Sequence, residues 1–126
     1  MQNTANLLVA DRALRLAVET YRLTSSFPSD ERFGLISQMR RAAVSIGSNI
    51  AEGCGRNTDK ELAAFLQVAM GSASELKYQL RVAAALAYSS PTSDRQAVEL
   101  VDEVMRMLSR FIVAVRARAQ LSPSRL

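Results

Sequence analysis

The chain has 126 residues and a formal net charge of +4, and it contains no histidine and one cysteine. This length suits one domain with a single core. Without histidine the chain lacks the commonest general base and metal ligand, so we expect neither an enzyme nor a metal or cofactor site. Cys54 cannot form an internal disulfide, and no signal peptide or apolar run of about 20 residues is apparent. We therefore expect a cytoplasmic protein that does not enter the membrane.

The composition and periodicity predict an all-α protein. Aromatic residues make up 6% of the chain, and there are five glycines, three prolines and no tryptophan. Four amphipathic segments alternate with short breaks at 7–23, 30–52, 58–88 and 94–119. We predict an antiparallel up-down-up-down four-helix bundle over residues 1–119, followed by a flexible C-terminal tail at 120–126.

Local signals predict how these helices begin and end. Ser29 is expected to cap helix 2, and Gly53 to end it in the left-handed conformation. Gly47 lies inside helix 2, where a glycine often marks the close approach of another backbone. Capping boxes are predicted at Thr58 with Glu61 and at Ser93 with Gln96.

The apolar faces of helices 1 and 3 predict which sides are buried. Helix 1 carries charge on one side and a continuous apolar stripe on the other, namely Leu7, Ala10, Leu14, Ala17, Val18 and Tyr21. Helix 3 has the most regular stripe, with steps of four and three residues: Leu62, Leu66, Ala69, Ala73, Leu76, Leu80, Ala83 and Ala87.

Helix 4 has more apolar surface than a peripheral helix needs. One stripe contains Val98, Val101, Met105, Leu108, Ile112 and Val115, and a second contains Leu100, Val104, Met107, Phe111 and Ala114. Together they span roughly 200° of the helix. Helix 2 also has apolar residues away from its main stripe. Surplus apolar surface favours a homo-oligomer, with a predicted interface at Phe33, Val44, Ala51, Leu100, Val104, Met107 and Phe111.

A polar row follows one flank of helix 2, where a plain bundle would carry leucines. We call it the α2 polar row: Gln38, Arg41, Ser45, Asn49 and Glu52. Arg41 can pair with Glu75 on helix 3, and Glu52 can pair with Arg56. Such pairs fix register more than they stabilise a fold. A ligand or nucleic-acid surface and a catalytic role are the alternatives.

Fourteen of the 16 basic residues are arginines, the residue suited to bidentate phosphate contacts. The turn from Gly53 to Arg56 either ends helix 2 or cradles an anion with backbone N–H groups. Candidate anion or nucleic-acid contacts are Arg40, Gly55, Arg56, Arg106, Arg110, Arg116 and Arg118.

Two stretches carry a resemblance to a known family. Helix 2 contains Arg40-Arg41-Ala42-Ala43, Ser45-Ile46 and Ser48-Asn49-Ile50-Ala51-Glu52-Gly53, and helix 3 contains Phe65-Leu66, Gly71-Ser72, Glu75-Leu76 and Gln79-Leu80. These runs closely resemble the signature of the 23S rRNA intervening sequence proteins. The family often has Pro in place of Gly47, and a Gly in place of Ala87 before the aromatic Tyr88.

The resemblance implies a homopentamer of four-helix bundles without an established enzymatic activity. More distant relatives include the accessory protein of diversity-generating retroelements, which binds nucleic acid and a reverse transcriptase. Two functions are therefore expected. One is a non-enzymatic oligomer that binds RNA, or an RNA-handling protein, through an Arg-rich surface; the other is a protein–protein adaptor without nucleic-acid contact.

Overall fold

The computed structural model describes residues 4–121, and it contains the four predicted helices and no strand within that range. Their bounds are α1 Thr4–Thr24, α2 Leu35–Cys54, α3 Asp59–Ala85 and α4 Pro91–Leu121, with a 3₁₀ turn at Ser29–Glu31 between α1 and α2. The all-α prediction is confirmed. Helix α4 extends two residues into the predicted tail, and the remainder of that tail, 122–126, lies outside the described residues.

The helices form a closed four-membered bundle. Packing joins α1 to α2, α2 to α3, α3 to α4, and α4 back to α1. Neighbours run antiparallel. Along α2, for example, Ser45 meets Ser72 of α3, whereas the later Gly53 meets the earlier Leu62. The stripe predicted for helix 3 is buried from Leu62 to Ala83, which places α3 between α2 and α4, while its last member, Ala87, is exposed.

Helix α2 begins five residues later than predicted, because Ser29 starts a 3₁₀ turn instead of capping an α-helix. The capping role belongs to Glu31. Its Oε1 accepts a 3.2 Å hydrogen bond from the backbone N–H of Leu35, the first residue of α2. A carboxylate at a helix N-terminus satisfies an orphan donor and complements the helix dipole. Phe33 consequently lies outside the helix, in the connection.

Helix α4 begins earlier than predicted, at Pro91. The Ser90 Oγ accepts a 3.1 Å hydrogen bond from the Ser93 N–H, so Ser90 is the capping residue and the proposed Ser93 and Gln96 box is wrong. Proline at the first helical position loses no hydrogen bond, since that N–H would be unpaired in any case. At α3, Thr58 Oγ1 accepts from the Glu61 N–H at 3.1 Å, which is one half of the predicted capping box. The Glu61 carboxylate accepts from the Thr58 hydroxyl and not from its backbone N–H, so the reciprocal half is absent.

Gly53 does not terminate α2 in the left-handed conformation. No glycine among residues 4–121 has a positive φ, and α2 continues to Cys54. Gly53 is buried, and a Cβ there would lie 2.9 Å from the Phe65 Cβ and 3.3 Å from the Leu62 carbonyl oxygen. The residue therefore permits α3 to pack closely against the last turn of α2. Close approach is the role that the sequence had suggested for Gly47.

Helix α1 buries a different side from the one predicted. The core side carries Val9, Ala13, Leu16, Thr20 and Leu23. Thr20 can be buried because its Oγ1 donates a 2.7 Å hydrogen bond to the Leu16 carbonyl, which leaves no unpaired polar atom. Most of the predicted apolar stripe lies on the outside: Leu7, Leu14, Val18 and Tyr21 are exposed. Thus α1 is apolar on two sides, and the bundle covers only one of them.

Candidate functional site

The centre of the α2 polar row joins α2 to α3 by hydrogen bonds. The Ser45 and Ser72 hydroxyls share one of 2.9 Å. Asn49 Nδ2 donates to the Ser45 carbonyl at 2.8 Å and to its hydroxyl at 3.0 Å. All three side chains are half-buried, and the bond between Ser45 and Ser72 is the one of these that crosses from α2 to α3.

The two ends of the row behave differently. Glu52 forms a 3.0 Å ion pair with Arg56, the local pair named from the sequence. Arg41 and Glu75 line the same groove, of about 180 Å³, between α2 and α3. They form no ion pair, however, and no other described residue pairs with the Arg41 guanidinium.

The carboxylate of Glu75 in this groove is hydrogen-bonded by a residue of its own helix, α3. Glu75 Oε2 accepts a 3.3 Å hydrogen bond from Gln79 Nε2. Gln79 is buried, and its Oε1 is the one buried side-chain oxygen of the described chain without a hydrogen-bond partner. Gln38 lines the groove from α2 and is exposed. The row is therefore a hydrogen-bonded cluster at its centre and an open polar groove near Arg41.

The Gly53–Arg56 turn does not present an anion cradle. The Gly55 N–H bonds to the carbonyls of Ala51 and Glu52, and the Arg56 N–H bonds to that of Gly53. The Arg56 guanidinium is also engaged, since it lies 4.8 Å from the centroid of the Phe65 ring in addition to pairing with Glu52. The structure thus favours helix capping over anion binding at this turn.

The other candidate arginines divide into paired and unpaired groups. Arg118 forms a 3.1 Å ion pair with Asp59, and Arg116 donates a 2.9 Å hydrogen bond to Gln67. Arg106 and Arg110 are exposed and have no side-chain partner among residues 4–121. These arginines lie along α4 and do not converge on one point.

A groove of about 860 Å³ lies between α1 and α4. Its lining has three arginines and three glutamates, so no single sign of charge dominates: Arg15, Arg22, Arg106, Glu19, Glu99 and Glu103. Arg22 is already paired with Glu19 at 2.7 Å. A groove of balanced charge does not select a phosphate.

A second groove, of about 640 Å³, lies between α1 and the start of α2. We call it the α1–α2 groove and define it by Tyr21, Arg32, Phe33, Arg40, Arg41 and Val44. Its lining contains three arginines, two aromatic rings and no acidic residue. Arg40, Arg41, Phe33 and Val44 are candidates from the sequence for separate reasons. Their proximity to Tyr21 and Arg32 is not visible in the sequence, because it depends on how α1 packs against α2.

The predicted oligomer interface does not form one surface. Phe33, Val44 and Ala51 are exposed on the α2 side, and Leu100 and Met107 are half-buried. Val104 and Phe111 are a correction: both are buried in the core of the chain. They are covered because α4 packs against both α3 and α1, which absorbs most of its double stripe.

The outer side of α1 is an apolar surface that the bundle leaves uncovered. Leu7 and Leu14 are 58% and 63% exposed, and Val18 is 41% exposed. We call these three residues the outer α1 stripe. They recur at helical spacing, so they share one side of the helix. The signal was visible in the sequence, but it was assigned to the core.

Cys54 has little chemical reactivity in this setting. Burial raises the pKa of its thiol, which lowers the fraction of reactive thiolate. No group of three or more Cys, Asp or Glu residues within 4–121 is arranged to hold a metal ion. None of the four helices, over the same range, is long and apolar enough to cross a membrane.

Comparison with known proteins identifies a family and solved structures of the same fold. Residues 5–110 match the family described as 23S rRNA-intervening sequence protein. A crystal structure from Bacteroides thetaiotaomicron, described as a protein of unknown function from the S23 ribosomal protein family, superposes with a TM-score of 0.80. It is 23% identical, and the match covers 86% of this chain and 98% of that one. None of the curated proteins compared with the chain matches it.

Proposed function

Since the chain belongs to the 23S rRNA-intervening sequence protein family, we propose that it is a non-enzymatic, cytoplasmic homo-oligomer that binds RNA through arginines on its surface. The proposed number of subunits is five, which rests on the resemblance of its helix 2 and helix 3 motifs to pentameric bundles. The surface of the single chain supports self-association and phosphate binding separately.

The outer α1 stripe carries the proposal of self-association. A helix that is apolar on two sides needs packing partners on both sides. In this bundle, α2 and α4 cover only the core side of α1. Leu7, Leu14 and Val18 remain in water unless another chain covers them, which is unfavourable in proportion to their apolar area. Another copy of the chain carries the same apolar side chains and can therefore cover them. Contiguous apolar surface of this kind is typical of protein interfaces.

Unpaired arginines support the RNA part. Arg41, Arg106 and Arg110 are exposed, and none of them forms an ion pair with a carboxylate among residues 4–121. Arginine presents a planar fork of donors that matches phosphate oxygens. An excess of such side chains attracts a polyanion, with an affinity that falls as salt rises.

Light scattering coupled to gel filtration tests the assembly. The wild-type protein is expected to have about five times the 13.8 kDa of one chain, and Leu14→Asp to reduce the mass to that of a single chain with its helical circular dichroism retained. Val113→Asp is the matched control, because Val113 is 66% exposed on α4 and lies outside the stripe. A wild-type monomer, or equal masses for both variants, would contradict the proposal.

A salt titration with a structured RNA tests the second part. The association constant is expected to fall linearly with salt on logarithmic axes. Absence of binding near 50 mM salt would instead favour the adaptor function. In that case, a specific protein should still be recovered from a nuclease-treated lysate.

A further inference from the structure

The α1–α2 groove combines two exposed aromatic rings with positive charge. Phe33 is 86% exposed, more than any other large apolar side chain of the described chain. It follows the 3₁₀ turn and precedes Gly34, so it projects from a connection and is not needed to fill the core. Tyr21, 46% exposed, lines the same groove from α1.

Each ring is backed by an arginine. The Arg32 guanidinium carbon lies 4.9 Å from the centroid of Phe33, and that of Arg40 lies 4.5 Å from the centroid of Tyr21. Arg40 is further held by hydrogen bonds to the Thr24 hydroxyl at 2.9 Å and to the Tyr21 carbonyl at 3.3 Å. Each guanidinium places a cation at an aromatic ring and leaves part of the ring exposed.

The lining of the groove is basic. It includes Arg32, Arg40 and Arg41 but no acidic side chain. The carboxylate of the neighbouring Glu31 forms no ion pair with these arginines, and its two oxygens accept hydrogen bonds from the Leu35 N–H and the Tyr88 hydroxyl. Arg41 has no acceptor among residues 4–121. The groove therefore offers a polyanion both charge and a stacking surface.

We propose that the α1–α2 groove binds unpaired nucleotides of single-stranded RNA, with a base stacked on Phe33 and backbone phosphates at Arg32 and Arg41. Aromatic rings interleaved with cations are the usual means of binding single strands, because every base has a stacking face. A duplex cannot use Phe33, since its bases are already stacked and paired. This inference rests on the proposed RNA binding and adds the strand type and the site.

Fluorescence anisotropy with a labelled oligouridine of about 12 nucleotides, and with an RNA duplex of similar length, tests the inference. The wild-type protein is expected to bind the single strand more tightly. Phe33→Ala should weaken that binding about tenfold or more, and Phe33→Trp should retain it. Arg41→Ala should reduce the salt slope by about 0.7, the value for one phosphate of a single strand.

Tyr78→Ala is the matched control. Tyr78 is 68% exposed on α3 and lies outside the groove, so its loss should leave RNA affinity unchanged. Equal affinities for Phe33→Ala and wild type would overturn the groove assignment while leaving RNA binding intact. Failure of the wild-type protein to bind either RNA near 50 mM salt would overturn both. If Phe33→Ala leaves RNA affinity unchanged and lowers the oligomer mass, the groove is a contact between copies of the chain, and RNA binds elsewhere on the protein.

Discussion

The Tyr88 hydroxyl donates a 2.8 Å hydrogen bond to Glu31 Oε2 and so ties the connection after α3 to the connection before α2. The other oxygen of the same carboxylate caps α2 at Leu35. The Tyr88 ring also packs on Phe27, with centroids 5.2 Å apart and ring planes inclined at 54°. One glutamate thus organises the end of the bundle that lies beside the α1–α2 groove.

This hydrogen bond predicts a pH dependence of stability. The bond to Glu31 raises the pKa of Tyr88 above its ordinary value of 10.0. The neutral phenol is therefore favoured by folding, and its contribution is complete below about pH 10 and is lost as pH rises through the raised pKa. Tyr88→Phe should be less stable than wild type at pH 8, and the difference should shrink above about pH 10.

Urea unfolding of both proteins across this pH range measures the effect. Every other ionisable group is common to both chains, so the difference between the two curves isolates Tyr88. Curves that remain parallel up to about pH 11 would show that the bond to Glu31 does not contribute to folding.

The backbone conformation of Ala87 predicts that glycine at this position stabilises the protein. Ala87 is the one non-glycine residue between 4 and 121 with a positive φ, 57°, and it ends α3. The Tyr88 N–H donates a 3.1 Å hydrogen bond to the Ala83 carbonyl, and the Ala87 N–H donates a 3.0 Å hydrogen bond to the Ala84 carbonyl. These two bonds form a Schellman motif. Ala87→Gly relieves the left-handed strain, so we expect the unfolding free energy to rise by about 1 kcal/mol.

Ala84→Gly is the matched control for this substitution, because Ala84 has helical geometry within the last turn of α3. Glycine there should lower the unfolding free energy by up to about 1 kcal/mol. Urea midpoints compare the variants. Changes of the same sign in the two would rule out relief of strain as the cause.

Alanine substitutions at two glycines of α2 should change the stability of the protein in opposite directions. A Cβ on Gly47 would have only the Ala13 Cβ near it, at an ordinary 3.8 Å. Gly47→Ala should therefore stabilise the protein by about 0.5–1 kcal/mol through helix propensity. Gly53→Ala should destabilise it, since the added atom would lie 2.9 Å from the Phe65 Cβ, and neither that atom nor the nearby Leu62 carbonyl can move freely.

Thermal unfolding of the two variants decides this prediction. A stabilised Gly53→Ala would mean that α3 can move away from α2 at little cost. A destabilised Gly47→Ala would mean that a neighbour outside the single chain approaches α2 at that point.

Local sequence signals predicted the number and approximate position of the helices, but they predicted the residues at which the helices begin and end less accurately. Thr58 caps α3 as predicted because an N-cap needs only residues three positions apart. Glu31 was missed as the cap of α2, since its role depends on a 3₁₀ turn and on Tyr88, which lies 57 residues away. Gly53 was assigned to a left-handed end because the sequence does not reveal that Leu62 and Phe65 face it.

The sequence by itself determined the helical class, the family motif of α2 and α3, and the presence of apolar stripes, because each depends on spacing along one helix. Only the tertiary structure decided which stripe is buried. On α1 the bundle covers Leu16 and Thr20 and leaves Leu14 exposed, and on α4 it covers Phe111. Periodicity shows that a side of a helix is apolar, but burial depends on which neighbours reach it. The same reason explains the α1–α2 groove, whose aromatic and basic residues are brought together by packing between helices.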